Sequence, residues 1–309
     1  MSYGCSVPSR AVPRVITVVG PTAAGKSALS IALAQELSGE VVNADSMQLY
    51  RGMDVGTAKL SVAERAGVPH HLLDIWDVTV PAAVAEYQRL AREAIDDILA
   101  RGRVPLLVGG SGLYVRAVLE EFEFPGTDPQ IRSRLEEELA RSGPGPLHER
   151  LGQWDPAAAA NILPSNGRRI VRALEVIELT GRPFTATLPQ PTPHYPSLQI
   201  GVDRAVAELD ERIALRVDLM WAAGLLDEVR GLVPLGLRAG RTASKALGYQ
   251  QALAQIDGEL PEEQAKADTV QGTRRFVRRQ RSWFKRDRAI HWLDGSSDTL
   301  VADALAVAG

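Results

Sequence analysis

Apolar and polar positions follow two alternating patterns in the first part of the chain. The continuous apolar run Val15–Val19, rich in β-branched residues, ends at Gly20 and is typical of a strand buried on both faces. Further strands are predicted at residues 40–43 and 104–108, and helices at residues 27–37 and 86–100. Strands that alternate with helices in this way predict a parallel α/β sheet.

The pattern changes character near residue 118. From there to residue 180 only helical periodicity is found, with helices predicted at 128–141 and 168–179. A strand-like stretch then returns at 198–202, and helical patterns follow it. The sequence thus predicts a helical segment inserted into a sheet protein.

These elements define a domain layout. We predict a sheet core from residues 1–117 and 201–309 and an all-helical insertion domain at 118–200. The helices after the returning strand are expected to pack back on the core.

Composition excludes several classes of protein. With 309 residues, 45% hydrophobic, 24% charged and a formal net charge of -3, the chain is an ordinary globular protein and not a disordered one. Its one cysteine, Cys5, excludes internal disulfides, argues against a thiolate metal cluster and fits a reducing, cytoplasmic setting. No apolar run approaches the roughly 18 residues of a membrane helix. Residues 1–13 lack the apolar region of a secretory signal, so we interpret them as a loose leader.

Positive charge is concentrated in one segment. Residues 274–288 hold eight basic residues and one acidic residue, so this stretch is +7 and the remainder of the chain is -10. A helical wheel gives two rows of basic residues beside an apolar stripe that includes Val277, Trp283 and Phe284. Such a helix predicts a polyanionic partner, although a solvated basic helix is the alternative. Gln280 falls inside the stripe, where an unpaired amide is costly, so it needs a hydrogen-bond partner.

A complete G-x-x-x-x-G-K-[ST] motif lies between the first predicted strand and the first predicted helix. It consists of Gly20, Pro21, Thr22, Ala23, Ala24, Gly25, Lys26 and Ser27. The glycines allow backbone N–H groups to face phosphate, the helix start adds its positive end, and Lys26 adds a point charge. Ser27 would ligate a Mg²⁺ ion shared with the phosphates. This P-loop predicts a polyphosphate ligand without specifying ATP, and a glycine-rich turn without ligand is the alternative.

Two residues after other strands are candidates for the chemistry. Asp45 follows the second strand and should face the P-loop, because ligands bind at the carboxyl ends of parallel strands. It could act as a general base or metal partner, or simply cap the next helix. Ser111 lies among glycines after the strand at 104–108, where it could donate a hydrogen bond to a ligand or belong to an ordinary turn. His70 and His71 are adjacent and diverge, so we expect structural roles for them.

Several stretches together resemble the tRNA dimethylallyltransferases, or isopentenyl-tRNA transferases. The matching stretches are residues 20–27 (GPTAAGKS), 43–59 (NADSMQLYRGMDVGTAK), 70–74 (HHLLD), 105–114 (PLLVGGSGLY), 169–175 (RIVRALE), 224–229 (GLLDEV), 247–249 (LGY) and 278–284 (RRQRSWF). The P-loop alone is widespread, whereas the second and last stretches are specific. Ser111 and Ser282 stand where the family usually has threonine, and both keep the hydroxyl.

The resemblance implies a P-loop NTPase-like fold and a prenyl transfer. The donor would be dimethylallyl diphosphate, and the acceptor N6 of the adenosine 3′-adjacent to the anticodon, position 37 of tRNA, with Mg²⁺ as cofactor. It further implies a cytoplasmic enzyme with a catalytic P-loop core and a helical insertion domain, residues 118–200, that contacts tRNA. A monomer suits a protein that wraps one anticodon stem-loop.

The resemblance also implies roles for individual residues. Asp45 would accept the N6 proton, Ser111 would hydrogen-bond the bridging oxygen, and Lys26 would neutralise charge on the leaving diphosphate. Arg216 would join the P-loop as a diphosphate contact. The implied tRNA contacts are Asp45, Ser46, Met47, Gln48, Ser111, Arg169, Arg172, Lys245, Tyr249, Arg278, Arg279, Gln280, Arg281 and Lys285.

Three other classes of function use some of these features. A nucleotide or nucleoside kinase would use the P-loop on ATP and leave the basic helix without a role. A transferase that acts on free adenine nucleotides would not need a tRNA-binding face. A non-enzymatic RNA-binding module would leave Asp45 and Ser111 without one.

Overall fold

The computed structural model describes residues 15–121, 124–184 and 192–309. Cys5 and the predicted leader lie outside this part of the chain. The chain divides into two compact units, Met1–Leu119 with His194–Gly309 and Glu120–Pro193. The second unit ends before the expected residue 200 because the strand that starts at Ser197 pairs with the sheet of the first unit.

The larger unit is built on a six-stranded sheet whose described strand pairs are all parallel. The strands are β1 (Val15–Val19), β2 (Gly39–Asn43), β3 (His70–His71), β4 (Val104–Gly109), β5 (Ser197–Asp203) and β6 (Ile290–Asp294). Their order across the sheet is β3-β2-β4-β1-β5-β6. This arrangement confirms the predicted parallel sheet. The two edge strands, β3 and β6, were not predicted, because one is only two residues long and the other is only partly buried.

Helices connect and cover these strands. Before the insertion they are α1 (Lys26–Glu36), α2 (Val84–Ala100) and α3 (Gly112–Leu119). The smaller unit contains α4 (Pro129–Ser142), α5 (Pro144–Trp154), α6 (Pro156–Asn161) and α7 (Gly167–Thr180). The returning chain forms α8 (Val206–Ala222), α9 (Leu225–Leu232), α10 (Tyr249–Ile256), α11 (Glu262–Phe284) and α12 (Leu300–Ala308). No helix in the described part of the chain is long and apolar enough to cross a membrane.

Both faces of the sheet are buried. Successive side chains of a strand point to opposite faces, so Val19 of β1 packs in one apolar cluster with Ile95 of α2, while Val18 packs in another with Leu33 of α1. All five residues of β1 are buried, which explains why its sequence is continuously apolar and β-branched.

The turn after β1 depends on glycine. Gly20 has φ 142°, and a Cβ at this position would lie 2.1 Å from the Val202 carbonyl oxygen of β5. Gly25 caps α1 in the left-handed region with φ 109°. The P-loop therefore passes close to the neighbouring strand and directs its backbone toward the start of α1.

The smaller unit has helices as its regular elements, as the sequence predicts. Asp128 caps α4 by accepting the N–H groups of Gln130 and Ile131, and Gly181 ends α7 in the left-handed region. Glu175 is fully buried and accepts hydrogen bonds from Arg132 and Arg172. Burial opposes its ionisation, but these two arginines hold the pKa of Glu175 below its usual value.

Both adjacent histidines are hydrogen-bonded within the protein, and His70 also lines the cavity at the carboxyl ends of the strands. The His71 ring nitrogen Nε2 lies 2.7 Å from the Glu40 carboxylate, and His70 Nδ1 lies 2.8 Å from the Val68 carbonyl oxygen. Arg101 also binds Glu40, whose side chain is 3% exposed. The hydrogen bond from Arg101, together with that of His71 and against the effect of burial, lowers the pKa of Glu40 to about 2.

Candidate active site

The carboxyl ends of β1, β2 and β4 surround a cavity of about 390 Å³. Its walls include Lys26 and Ser27 of the P-loop, Asp45 after β2, Gly109 of β4 and Arg216 of α8. These elements are far apart in the sequence, but parallel strands bring their carboxyl ends to one edge of the sheet. The cavity therefore combines the predicted phosphate-binding residues with the predicted proton acceptor.

A tight turn orients Asp45. The amide oxygen of Asn43 accepts the Asp45 N–H at 2.9 Å, and its NH₂ group donates to the carbonyls of Asp45 and Leu72, both at 3.1 Å. Asp45 Oδ1 accepts the Met47 N–H at 2.9 Å. Among the described residues, Oδ2 has no hydrogen-bond partner, so this oxygen is available to a ligand. Asp45 therefore caps the following turn through Oδ1, while Oδ2 can accept a proton or contact a ligand.

Lys26 lies in the cavity with its Nζ atom 2.7 Å from the Pro21 carbonyl oxygen. Burial lowers the pKa of Lys26 from 10.5 to about 8, Asp45 opposes this shift, and Arg216 adds to it. The three charged groups therefore act on one another within one cavity. Two cations beside one carboxylate leave an excess of positive charge, which an anionic ligand would neutralise.

Arg216 reaches the cavity from α8. Its Nη2 atom donates to the Thr57 carbonyl at 3.1 Å, and the Gln48 amide donates to the same carbonyl, also at 3.1 Å. Burial lowers the pKa of the Arg216 guanidinium, and Asp45 opposes this shift. Arg216 is thus a partly desolvated cation, whose attraction to phosphate is stronger than that of an exposed arginine.

Long-range contacts hold the P-loop. Arg212 donates to the Ala23 carbonyl at 2.8 Å, and Arg204 donates to the Ala24 carbonyl at 2.9 Å. The Thr22 N–H donates to Gln280 of α11 at 2.9 Å. These contacts come from residues almost two hundred positions or more along the chain. Sequence analysis missed Arg204 and Arg212 because an isolated arginine near a helix start has no pattern that distinguishes it.

Ser111 supports the turn that carries Asp45. Its hydroxyl oxygen accepts the Ser46 N–H at 3.4 Å, while its own proton remains available for donation. Ser111 is outside the residues that line the cavity, so the structure places it beside the turn at 45–47.

The cavity also holds oxygen atoms that suit a magnesium ion. The Ser27 side chain is exposed to the cavity, and Asp45 Oδ2 has no hydrogen-bond partner among the described residues. Mg²⁺ prefers one or two protein oxygens and completes its coordination with phosphate and water. No group of three metal-ligating side chains occurs in the described parts of the chain. The available donors therefore fit a metal that shares its coordination with a bound diphosphate.

Helix α11 carries the basic face predicted from the sequence. Arg278 and Arg279 are exposed, and Arg279 lies 5.8 Å from the Phe276 ring centre. Arg281 pairs with Asp203 at 2.9 Å, and the Lys285 Nζ atom lies 3.9 Å from the same carboxylate. Arg278 and Arg279, which have no ion-pair partner among the described residues, are therefore more available to a polyanion than the two paired cations.

Three expectations about the C-terminal region need correction. Tyr249 is fully buried and its hydroxyl donates to Glu228, so this side chain is not placed for direct tRNA contact. Gln280 is also buried. Its amide nitrogen donates to the Gly110 carbonyl at 3.0 Å, and its amide oxygen accepts the Thr22 N–H of the P-loop. The partner that Gln280 was expected to need is thus within the protein. Trp283 is 36% exposed and is not the buried anchor of the apolar stripe, whereas Val277 and Phe284 are buried.

The remaining predicted tRNA contacts lie in several places. Ser46, Met47 and Gln48 are half-buried in the turn after β2, and Lys245 is exposed before α10. Arg169 and Arg172 belong to α7 of the smaller unit. Arg172 already binds the carbonyls of Pro125 and Gly126 and the Glu175 carboxylate, a set of contacts typical of a structural arginine.

Comparison with known proteins decides the family. The model of the family described as IPP transferase matches residues 48–287. The chain belongs to the IPP transferase family. Its relatives include a tRNA dimethylallyltransferase of Salinispora arenicola, 74% identical over 291 residues, which are 94% of this chain and 85% of the relative. A tRNA dimethylallyltransferase of Streptomyces coelicolor is 71% identical over 283 residues, which are 92% of this chain and 91% of the relative.

Solved structures of IPP transferases have the same architecture. The tRNA isopentenylpyrophosphate transferase of Bacillus halodurans is 40% identical with a TM-score of 0.70, over 94% of this chain and 93% of that one. A eukaryotic dimethylallyltransferase described as acting on tRNA is 27% identical with a TM-score of 0.82, over 94% of this chain and 77% of that one. Both the family resemblance and the P-loop NTPase-like fold predicted from the sequence are thereby confirmed.

Proposed function

We propose that this chain transfers the dimethylallyl group of dimethylallyl diphosphate to N6 of the adenosine at position 37 of tRNA, releasing diphosphate. The observation that carries the proposal is the convergence of Lys26, Arg216 and the free Asp45 oxygen on one cavity. Two partly desolvated cations suit a diphosphate, and the carboxylate suits a proton acceptor. Membership of the IPP transferase family supports the same reaction.

The P-loop and Arg216 bind the diphosphate leaving group. As the allylic carbon–oxygen bond breaks, negative charge grows on the diphosphate. Donors that are already in place stabilise that charge without reorganisation. Lys26 and Arg216 are held by the Pro21 and Thr57 carbonyls, so both cations are positioned before the substrate binds.

Asp45 takes the proton from the attacking nitrogen. The N6 lone pair forms the new bond to the allylic carbon, the carbon–oxygen electron pair leaves with the diphosphate, and the N6 proton goes to Asp45 Oδ2. Ser111 acts in this step by supporting the turn that carries Asp45, because its hydroxyl does not line the cavity. The turn fixed by Asn43 and Met47 keeps the Asp45 carboxylate in a single orientation.

We further propose that Ser27 binds Mg²⁺ together with the phosphates, which leaves Asp45 Oδ2 free to accept the proton. When bound, the ion neutralises charge on the leaving diphosphate. Ser27 supplies the hydroxyl ligand from the first turn of α1.

The exposed basic residues of α11 bind the phosphates of the tRNA anticodon stem-loop. Arg278 and Arg279 are exposed on this helix, Arg281 is half-buried on it, and Lys285 follows its last residue. The other proposed tRNA contacts are Lys245 before α10 and Ser46, Met47 and Gln48 in the turn after β2. The acceptor adenosine is in a loop, so it can leave its stack at a lower cost than a base in a duplex. A monomer acting in the cytoplasm fits one protein bound to one stem-loop.

Transfer of radiolabel tests this function directly. Dimethylallyl diphosphate labelled in the allyl group is offered with tRNA, with AMP or without acceptor, in the presence and absence of Mg²⁺. We expect label only in tRNA and only with the metal. A tRNA with guanosine at position 37 is the matched control and should remain unlabelled. Label in AMP would favour a transferase of free nucleotides. If ATP is added to the same reactions, formation of ADP together with a phosphorylated acceptor would favour a kinase.

A further inference from the structure

The loop of residues 54–59 lies beside the cavity and is fixed at both ends. It belongs to the stretch at 43–59 that is specific to the family, yet the proposed reaction assigns it no task. Thr57 and Ala58 line the cavity. The contacts at the two ends of this loop explain how it is held.

Glu228 of α9 binds the first part of the loop. Its Oε2 atom accepts the N–H groups of Asp54 at 3.0 Å and Val55 at 2.7 Å, and its Oε1 atom accepts that of Gly56 at 3.3 Å. The Tyr249 hydroxyl donates to the same Oε1 atom. One carboxylate therefore receives three successive backbone donors and a buried phenol. Because hydrogen bonds to an ionised acceptor are strong, this arrangement leaves the loop little freedom.

Lys59 fastens the other end. Its side chain is 3% exposed, and its Nζ atom donates to Asp54 and Asp74, both at 2.6 Å, and to the Tyr50 carbonyl at 2.9 Å. The ammonium thus uses all three of its protons on fixed acceptors. Glu228 holds the start of the loop and Lys59 holds its end. The backbone carbonyl groups between them are therefore fixed in orientation.

The Thr57 carbonyl lies in the segment that these contacts fix. It accepts hydrogen bonds from Arg216 and from the Gln48 amide. Among the described residues, this carbonyl is the hydrogen-bond acceptor that the structure provides for the Arg216 guanidinium. A long arginine side chain loses much rotamer freedom when it is held in one orientation, so a fixed acceptor lowers the cost of binding a ligand.

We propose that Glu228 is a positioning residue that, through the 54–59 loop and its Thr57 carbonyl, orients Arg216 toward the diphosphate. Tyr249 contributes to the same positioning, because its hydroxyl donates a hydrogen bond to the Glu228 carboxylate. This inference rests on the proposed function, since it takes the ligand of Arg216 to be a diphosphate. Glu228 touches no substrate in this scheme and acts only through the loop.

Steady-state kinetics with labelled dimethylallyl diphosphate and tRNA test the inference. Glu228→Gln keeps the shape of the side chain but turns an NH₂ group toward backbone donors. We expect the KM for dimethylallyl diphosphate to rise by about 10-fold, the scale of one charge-assisted hydrogen bond, while the KM for tRNA stays within about 2-fold. Tyr249→Phe removes a single hydroxyl and should disturb folding less than Glu228→Gln does. It should raise the KM for dimethylallyl diphosphate by roughly 2- to 5-fold.

A double-mutant cycle separates positioning from a general loss of stability. Arg216→Ala should raise the KM for dimethylallyl diphosphate by about 100-fold. The double variant Glu228→Gln with Arg216→Ala should be no worse than Arg216→Ala alone, because the residue that Glu228 positions is already gone. The control is Glu40→Gln, a buried and hydrogen-bonded carboxylate of the same unit that does not contact this loop. It should lower the melting temperature without changing either KM.

The outcomes distinguish this inference from the proposed function. If wild-type protein transfers label to tRNA, and Arg216→Ala has the expected effect, the function stands whatever Glu228→Gln does. Independent effects of Glu228→Gln and Arg216→Ala that multiply to about 1000-fold would overturn the positioning role. So would an unchanged KM for dimethylallyl diphosphate in both Glu228→Gln and Tyr249→Phe.

Discussion

The Gln280 side-chain oxygen lies 2.9 Å from the backbone nitrogen of Thr22, so the basic helix α11 is hydrogen-bonded to the P-loop. The nitrogen of the same amide donates to the Gly110 carbonyl after β4. A buried amide with both ends paired joins two loops at the carboxyl edge of the sheet. The basic helix α11, proposed to bind tRNA, is therefore in direct contact with the loop proposed to bind diphosphate.

Replacement of Gln280 tests this contact. Gln280→Leu keeps much of the volume but leaves the Thr22 N–H and the Gly110 carbonyl without partners, so the free energy of unfolding should fall by about 1–3 kcal/mol. Urea denaturation measures this change. Gln264→Leu is the control on the same helix, because Gln264 is exposed, and should shift the value by less than about 0.5 kcal/mol. Equal stability of the two variants would show that the Gln280 contacts contribute nothing.

Replacement of Asp45 tests the proton acceptor. Asp45→Asn retains Oδ1 as the acceptor of the Met47 N–H, so the turn should persist, but it removes the basic oxygen. We expect the single-turnover rate to fall by ~100-fold or more while the Kd for tRNA is unchanged. Asp77→Asn, a change to an exposed carboxylate that pairs with Arg51, is the control and should react normally. A near-normal rate for Asp45→Asn would remove Asp45 from this role.

The sequence predicted those parts of the fold and site that leave a local pattern. β1 is continuously apolar because both faces of the sheet are covered, and the P-loop follows from its glycines and Lys26. In contrast, the contact between Glu228 and the 54–59 loop joins backbone groups to a side chain 172–174 positions away, and no spacing within the sequence encodes it.

Errors in the wheel of α11 have a similar cause. The apolar stripe correctly predicted which side of the helix is buried. A helical wheel does not show which residues of the stripe lie at the edge of that buried side. Trp283 lies there, packed over Gly112, where a Cβ would come within 2.1 Å of the indole nitrogen. We therefore expect Trp283→Ala to cost less than the 3–5 kcal/mol that is typical of a fully buried tryptophan.

Protonation of Lys26 should link diphosphate binding to pH. Its pKa is lowered to about 8, so the cation is present below pH 8 and is lost as the pH rises through that value. A bound diphosphate favours the charged form, so binding at pH 9 should take up about one proton, whereas binding at pH 7 should take up almost none. Titration calorimetry of dimethylallyl diphosphate in buffers of different ionisation enthalpy measures this uptake. Lys26→Ala should abolish it, and uptake that persists in this variant would assign the proton to another group.

Glu40 should contribute stability that depends on pH in the opposite sense. The pKa of Glu40 is lowered to about 2, chiefly by Arg101, so its contribution is complete above its ordinary value of 4.5 and is lost as the pH falls toward 2. Glu40→Gln should reduce the free energy of unfolding by about 1–3 kcal/mol at pH 7. Urea denaturation at pH 7 and pH 3 should show the difference from wild type shrinking at the lower pH. A difference that is the same at both values would mean that the carboxylate charge is not its source.

The exposed arginines of α11 allow the contribution of charge to tRNA binding to be tested without destabilising the fold. Arg278 and Arg279 have no ion-pair partner among the described residues, so their replacement removes charge without breaking an internal ion pair. The double alanine variant should weaken tRNA binding and flatten the dependence of log Kd on log salt by roughly 0.7–0.9 per lost phosphate contact. The affinity for dimethylallyl diphosphate should barely change, because the residues proposed to bind it are those of the P-loop and Arg216.

A second double variant supplies the control for net charge. Arg89→Ala with Arg230→Ala removes the same two charges from exposed sites that are ion-paired on α2 and α9. It should leave the salt slope of tRNA binding unchanged, because these side chains are not on α11 and bind neighbouring carboxylates. Filter binding between 50 and 200 mM salt, roughly the range over which phosphate contacts alter affinity strongly, compares the two variants. If both variants lose the same slope, only the total charge of the protein matters. If neither loses any, α11 is a solvated face, and tRNA recognition must come from the smaller helical unit.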